Sequence, residues 1–379
     1  MNNHPKRVLH ITEMLSAAGI ESFIMNIYRN INRDEVQFDF LVLRNQQEFY
    51  DEEIASLGGK KYYVHSNVHN TFLRILDESK KIEDFLKKNH YDIVHVHYTT
   101  PLRAYYLKAA KRANVPVRIY HSHSAKILGK SKFKLIIYNH CKKVIDKYAT
   151  DFFACSKAAS QWMYSENTIK KNKVQIIYNG IDTKRFLYNE VVRERVRNKY
   201  FLEDDFVIIH TGRFSEQKNQ LFIIDIFNEV KKKKNNAKLF LLGEGILKKE
   251  CIEKVKQYKL EDDVFFMGVR QNVQDYLFAS DCYVMPSLYE GLPVAGVEAE
   301  CTGLTCIFSN NITDEVQLND NVVFLSLDYS AEQWATTIIE RNDVENRSSA
   351  VYYVKKAGYD IYDVTKKIQR FYLKRGKNV

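Results

Sequence analysis

No apolar run in this sequence is long enough to cross a bilayer; the most apolar stretches, 207–210 and 239–242, are only strand-sized. Residues 1–6 are polar and lead straight into a strand-like segment, without the apolar centre of a signal peptide. A cytoplasmic location is the simplest expectation. The six cysteines (Cys141, Cys155, Cys251, Cys282, Cys301, Cys306) are scattered, and none belongs to a C-x-x-C pair. That argues against a disulfide framework and against zinc-ligand spacing, and it leaves buried, reduced thiols. Low-complexity segments and short repeats are also missing.

What is present is the ordinary mixture of a globular protein, 45% hydrophobic and 27% charged. At 379 residues, one hydrophobic core is not enough and two domains are expected. The net charge of +10 is unevenly placed: residues 1–182 hold 28 Lys and Arg against 18 Asp and Glu, and the rest of the chain balances. An anionic partner is therefore expected on the amino-terminal half.

Strand-sized apolar runs alternate with helix-length amphipathic segments, the pattern of parallel α/β layers. Strands are expected at 7–11, 38–43, 61–64, 93–97, 117–121, 152–155 and 175–178, then again at 207–211, 238–242, 264–267, 282–285, 305–308 and 322–325. Helices are expected between them, and a last one over 361–373. Two such series imply two doubly wound, Rossmann-like domains, with the polar stretch 182–205 as linker.

In open parallel sheets, ligands bind beyond the carboxyl ends of strands, where helix amino termini offer unpaired N–H groups. The first such loop, 12–19, ends in Ala17-Ala18-Gly19; the glycine would let a ligand approach the backbone, though a plain turn looks the same. The loop after 207–211 carries Gly212, Arg213 and Lys218, a planar fork and a mobile ammonium that suit a diphosphate. Gly243-Glu244-Gly245 lacks a third glycine and fits a dinucleotide fingerprint poorly. The strongest local signal is 286–299, in which Glu290 lies in a loop, beside Gly291, and Glu298 lies one to two turns into the next helix. Glu290 can face a sugar and Glu298 can accept from ribose hydroxyls; Glu300 is expected on a solvated face. In Tyr120-His121-Ser122-His123-Ser124 the paired histidines could suggest a metal, but no third ligand is evident, and His121 is read as a polar sugar contact.

The ordered set of Gly19, His121, Asn179-Gly180-Ile181-Asp182, Gly212-Arg213 with Lys218, and the Glu290/Glu298 pair resembles family 4 of the retaining glycosyltransferases across essentially the whole chain. The resemblance implies the GT-B fold, two Rossmann-like domains facing across a cleft. It implies an acceptor-binding domain over 1–182 and a nucleotide-sugar-binding domain over 183–360, with 361–379 returning to the first. By the same resemblance, Arg213 and Lys218 hold the donor diphosphate, Glu298 the ribose, and Glu290 and His121 the transferred sugar. Gly19 lets the first loop approach, and Met267-Gly268-Val269-Arg270 lines the base pocket. The first loop departs from the family, since many relatives carry paired glycines where Ala17 and Ala18 stand. Uridine is the favoured base, and a glycan or polyprenyl-linked acceptor in surface polysaccharide synthesis follows from similarity to bacterial exopolysaccharide and capsule enzymes. No Asp-x-Asp pair is present to bind a metal, so Arg213, Lys218 and helix amino termini are expected to neutralise the leaving diphosphate without metal or other cofactor.

Seven lysines and one acid, Asp146, fall in 126–147 among apolar residues. Such a segment either docks on an anionic membrane surface, making the protein peripheral, or is a surface helix with solvated lysines. Two other classes compete. A non-catalytic basic binding protein explains the charge, but no nucleic-acid motif is recognisable. A nucleotide-sugar epimerase shares the fold; its product would be an isomerised donor rather than a new glycoside.

Overall fold

A computed structural model of the chain describes residues 4–16, 19–124, 132–341 and 347–375. Short runs rich in Val, Ile, Leu and Phe form strands buried on both faces, as parallel sheets require. β1 (Lys6–Ile11), β2 (Val36–Val42), β3 (Lys61–Tyr63), β4 (Ile93–Tyr98), β5 (Val117–Ser122), β6 (Asp151–Ala154) and β7 (Val174–Ile176) form one parallel sheet in the order β3-β2-β1-β4-β5-β6-β7. β8 (Phe206–Thr211), β9 (Ala237–Leu242), β10 (Val264–Gly268), β11 (Cys282–Met285), β12 (Thr305–Ser309) and β13 (Val322–Leu325) form a second, ordered β10-β9-β8-β11-β12-β13.

The chain divides into two compact units, one drawn from Met1–Gly180 and Ile361–Val379, the other from Ile181–Asp360. In the first, Leu9, Ile11, Val94 and Val96 pack on one sheet face, and Val8, Ile93 and Ile119 on the other. The second face is covered by the helix Gly19–Asn30 and by the final helix, Ile361–Arg375, which buries Ile361, Val364, Ile368 and Tyr372 there. In the second unit, Ile223, Ile224 and Phe227 of the helix Gln220–Lys233 and Trp334 of the helix Ala331–Glu340 close one face of the sheet.

In both sheets the strand order reverses at the centre, between β1 and β4 and between β8 and β11. Strands on either side of such a switch point send their connections to opposite faces, which opens a crevice at their carboxyl ends. The loops following β8 and β11 are those that carry Arg213, Lys218 and Glu290.

The stretch 182–205 is not a linker. It contains the helix Glu190–Tyr200, which packs on the helix Val273–Ala279 within the second unit. Arginines anchor it alongside Val196 and Tyr200: Arg193 Nη1 donates to the Phe278 and Ser280 carbonyls at 3.0 and 2.9 Å, and Arg197 Nη1 to that of Ala279 at 2.9 Å. Its polar composition therefore hid an integrated element. No described helix is long and apolar enough to cross a membrane.

Candidate active site

The loop after β8 is shaped by backbone packing. A Cβ on Gly243 would stand 2.1 Å from the Gly212 carbonyl oxygen, and one on Gly245 would stand 2.2 Å from that of Phe214. Only glycine lets the loops after β8 and β9 lie this close, and Gly243 also has φ +133°. The pair 243–245 is thus a packing device rather than a dinucleotide fingerprint. Buried Gln220 fixes the loop from the helix side, donating from Nε2 to the Arg213 carbonyl at 2.8 Å and accepting from Ser215 N at 3.3 Å. Sequence reading passed over this residue. Its signal is an amide immediately before the apolar run Leu221-Phe222-Ile223-Ile224.

Lys218 ends a 3-10 turn, Glu216–Lys218, that is stitched to the loop after β11. Leu288 N donates to the Gln217 carbonyl at 2.9 Å, Gln217 Nε2 to the Tyr289 carbonyl at 3.0 Å, and Asn219 Nδ2 to the Pro286 carbonyl at 3.1 Å. These bonds bring Lys218 Nζ within 2.8 Å of Glu290 Oε1. The lysine stem passes over Gly212, where a Cβ would meet its Cδ at 3.3 Å. His210, beneath, stays neutral: burial, then the Lys218 charge, push its pKa down to about 3. Arg213 is exposed, and its guanidinium has no partner among the described residues.

Beyond Glu290 and Gly291, Pro293 opens the helix Val294–Cys301. Glu298 lies on that helix. Its side chain keeps some exposed surface, yet its carboxyl is enclosed enough that burial pushes the pKa up to about 7, with Arg185 pulling it back. Arg185 is itself fixed by Gln274 Oε1 at 2.8 Å and by the Gln271 carbonyl. Glu300 does not face solvent as expected. It is wholly buried, accepts from Leu318 N at 2.9 Å, and has its pKa raised well above the usual range by burial. A spacing of two residues turned it from Glu298's face into the core. Val269, just after β10, is exposed.

In the first unit, a Cβ on Gly19 would meet nothing within 4 Å, so the residue leaves open space at the start of the helix Gly19–Asn30. His121 departs from its expected place at a ligand. It is 0% exposed, under Phe23, with Nδ1 on His95 Nε2 at 3.2 Å. As a strand residue it points into the helix-covered face of the sheet, whereas His123, two residues on and past the end of β5, is part-exposed. The third histidine that the sequence left missing is His97, from β4.

The Glycosyl transferases group 1 pattern matches residues 192–356, and the Glycosyltransferase Family 4 pattern matches residues 17–185. The chain is also 35% identical to the putative glycosyltransferase EpsF of Bacillus subtilis, over 89% of this chain and 88% of that one. It belongs to the family 4 glycosyltransferases. This transferase is 25% identical to the capsular polysaccharide biosynthesis glycosyltransferase CapH of Staphylococcus aureus, over 97% of this chain and 99% of that one. It is 23% identical to the Escherichia coli UDP-Gal:alpha-D-GlcNAc-diphosphoundecaprenol alpha-1,3-galactosyltransferase, over 93% and 89%. The solved structure of HepE from Anabaena, in complex with UDP, shares the GT-B fold at a TM-score of 0.78 and 17% identity, covering 97% of this chain and 99% of that one. The two Rossmann-like units of the transferase are those of GT-B enzymes.

Proposed function

We propose that this glycosyltransferase moves a hexosyl residue from a UDP-sugar to a polyprenyl-diphosphate-linked glycan in surface polysaccharide synthesis, with retention of configuration and without a metal. The observation that carries the reading is the juxtaposition after β8 and β11. The Lys218 ammonium is held 2.8 Å from Glu290, the exposed Arg213 of the same loop has a guanidinium without a partner among the described residues, and the helix Val294–Cys301 begins shortly after Glu290. Those are the groups that a leaving diphosphate needs. The names of the E. coli relative and of the UDP complex of HepE support the lipid-linked acceptor and the uridine nucleotide.

On this reading the second unit holds the donor. Arg213 and Lys218 take the diphosphate oxygens over Gly212, Glu298 accepts from the ribose hydroxyls, and Val269 lies against the base. Glu290 and the Gly291 backbone meet the sugar. The first unit holds the acceptor, with Gly19 leaving room for it. As the sugar C1–O bond breaks, its electrons pass to the β-phosphate oxygen, where the two cations stabilise them. The acceptor hydroxyl attacks C1 on the same face and gives its proton to the departing phosphate, so no side chain acts as base.

The helix Lys132–Tyr148 exposes Leu135, Ile136, Lys143 and Lys147, supporting contact with an anionic membrane; residues 126–131 of the basic stretch lie outside the described ones. Flotation with anionic vesicles at low salt should carry the protein upward, and Ile136→Glu should weaken that; no flotation of the wild type removes the membrane contact. The donor is tested with a panel of UDP-, GDP- and ADP-sugars, read by thermal stabilisation and by nucleotide release with and without a polyprenyl-linked acceptor. UDP-sugars should stabilise and be consumed. Release of another nucleotide alone would overturn the assignment, and an isomerised donor without a glycoside would make the protein an epimerase.

A further inference from the structure

Five histidines far apart in sequence meet on one face of the first sheet. The register sets His10 of β1 beside His95 of β4, and His97 of β4 beside His121 of β5; His123 follows at the strand end. Burial keeps all five rings neutral, with His10 and His123 pushed down to about 3 and the others well below the usual range. Neutral imidazole has one N–H and one lone pair, so the hydrogen bonds can be followed ring by ring. One chain runs from His10 Nδ1 to His97 Nε2 at 2.8 Å, and from His97 Nδ1 to His123 Nε2 at 2.9 Å. The other runs from the Tyr372 hydroxyl to His95 Nδ1 at 2.7 Å, and from His95 Nε2 to His121 Nδ1 at 3.2 Å. His121 Nε2 is left buried and unpartnered, as are His10 Nε2 and His123 Nδ1.

We propose that His97, His121 and His123 form a binding site for a first-row divalent ion of the zinc type, with one coordination position open. One ring nitrogen of each lies within 4.8 Å of the others. Three imidazoles without a carboxylate suit zinc and its neighbours, not magnesium or calcium, which take oxygen ligands. In a tetrahedral site with Zn–N near 2.0–2.1 Å, neighbouring nitrogens stand about 3.3–3.4 Å apart. The His97–His123 pair at 2.9 Å thus needs to open by about 0.4–0.5 Å, and the ion takes the place of a shared proton.

For His97 and His121 the supporting bonds already have the sense that metal ligation needs. A histidine that ligates through one nitrogen offers the other N–H to a fixed acceptor. His121 ligating through its free Nε2 donates from Nδ1 to His95, and His95 in turn to Tyr372. His97 ligating through Nδ1 donates from Nε2 to His10. A second trio, His10, His95 and His97, is also close enough. It is disfavoured because His95 has both nitrogens engaged by residues outside that trio and all three rings are buried, whereas part-exposed His123 gives the chosen trio an entrance. The ion takes no step in the sugar transfer proposed above, and the two readings stand or fall separately.

The test uses the full chain, stripped with chelator and then titrated with Zn²⁺ by equilibrium dialysis and with Co²⁺ by visible absorption. The proposal expects one ion per chain and the intense bands of tetrahedral Co²⁺. His123→Asn, at a part-exposed position, and His97→Asn should each weaken binding by more than about 100-fold, whereas exposed His140→Asn should not. Absence of stoichiometric binding by the wild type would reduce the cluster to a hydrogen-bonded ladder and overturn the proposal. So would full binding by a folded His123→Asn protein, which would move any ion to the other trio. The Co²⁺ spectrum of the wild type decides the coordination even where a core variant fails to fold.

Discussion

Replacing Lys218 by alanine separates the catalytic from the structural consequences of one charge. Lys218 and Glu290 keep 18% and 11% of their side chains exposed, so water screens the pair poorly. Loss of one preorganised group facing the developing charge costs about 10²–10³ in kcat, or about 2.7–4 kcal/mol. The same change strands Glu290. A fully buried orphan charge costs about 3–5 kcal/mol, but both side chains still touch water, and we expect about 1–2 kcal/mol here. In a unit of this size that lowers Tm by about 2–8 °C. Adding Glu290→Gln should restore Tm without restoring turnover, because the stranded charge is gone while the diphosphate still lacks its cation. Nucleotide release with a UDP-sugar and a lipid-linked acceptor, beside a thermal melt of each variant, reads both quantities. Turnover of Lys218→Ala within about threefold of wild type, or recovery of turnover in the double variant, would refute the electrostatic argument.

Gly243→Ala forces a Cβ into the Gly212 carbonyl and strains a left-handed backbone, so it should cost at least about 2 kcal/mol and raise KM for the donor, as melts and initial rates will report. Glu298 has its pKa pushed up to about 7 by burial, and the ribose contact proposed for it favours the ionised form. Donor Kd should therefore weaken by about tenfold as pH falls from about 8 to about 6, and Glu298→Gln should flatten that profile in calorimetry. The same raised pKa favours the protonated carboxyl in the folded state, so this residue's contribution to stability declines as pH rises from 4.5 towards about 7. Buried Glu300, whose pKa burial raises, accepts from Leu318 N; Glu300→Gln keeps an acceptor there and should be nearly silent, whereas Glu300→Ala should cost about 1–3 kcal/mol in denaturant melts.

The strands were legible because a parallel sheet buries both faces and writes itself as unbroken apolar runs, as in Phe206-Val207-Ile208-Ile209. The loops proposed to hold the donor were sought for a related reason: strand ends mark where ligands bind, and Arg213, Lys218 and Glu290 fall in the loops that follow β8 and β11. Reading failed where packing is polar. The helix Glu190–Tyr200 looked like a linker because several of its anchors are arginines donating to carbonyls. Glu300 looked solvated because periodicity cannot show a backbone N–H waiting in the core. His121 was placed at the ligand because its strand-end position was visible, while the side of the sheet it faces was not. The histidine cluster was out of reach altogether, since residues 10, 95, 97 and 121 become neighbours only through the crossover order β1-β4-β5.

The central claim is that side-chain cations, rather than a divalent ion, neutralise the diphosphate as its bond to the sugar breaks. The most direct measurement is the rate of glycoside formation by folded protein stripped of metals and assayed in excess chelator. The account predicts a rate equal to that of untreated protein and indifferent to added Mg²⁺ or Mn²⁺. An inert stripped enzyme that regains its rate when either ion is supplied would contradict it.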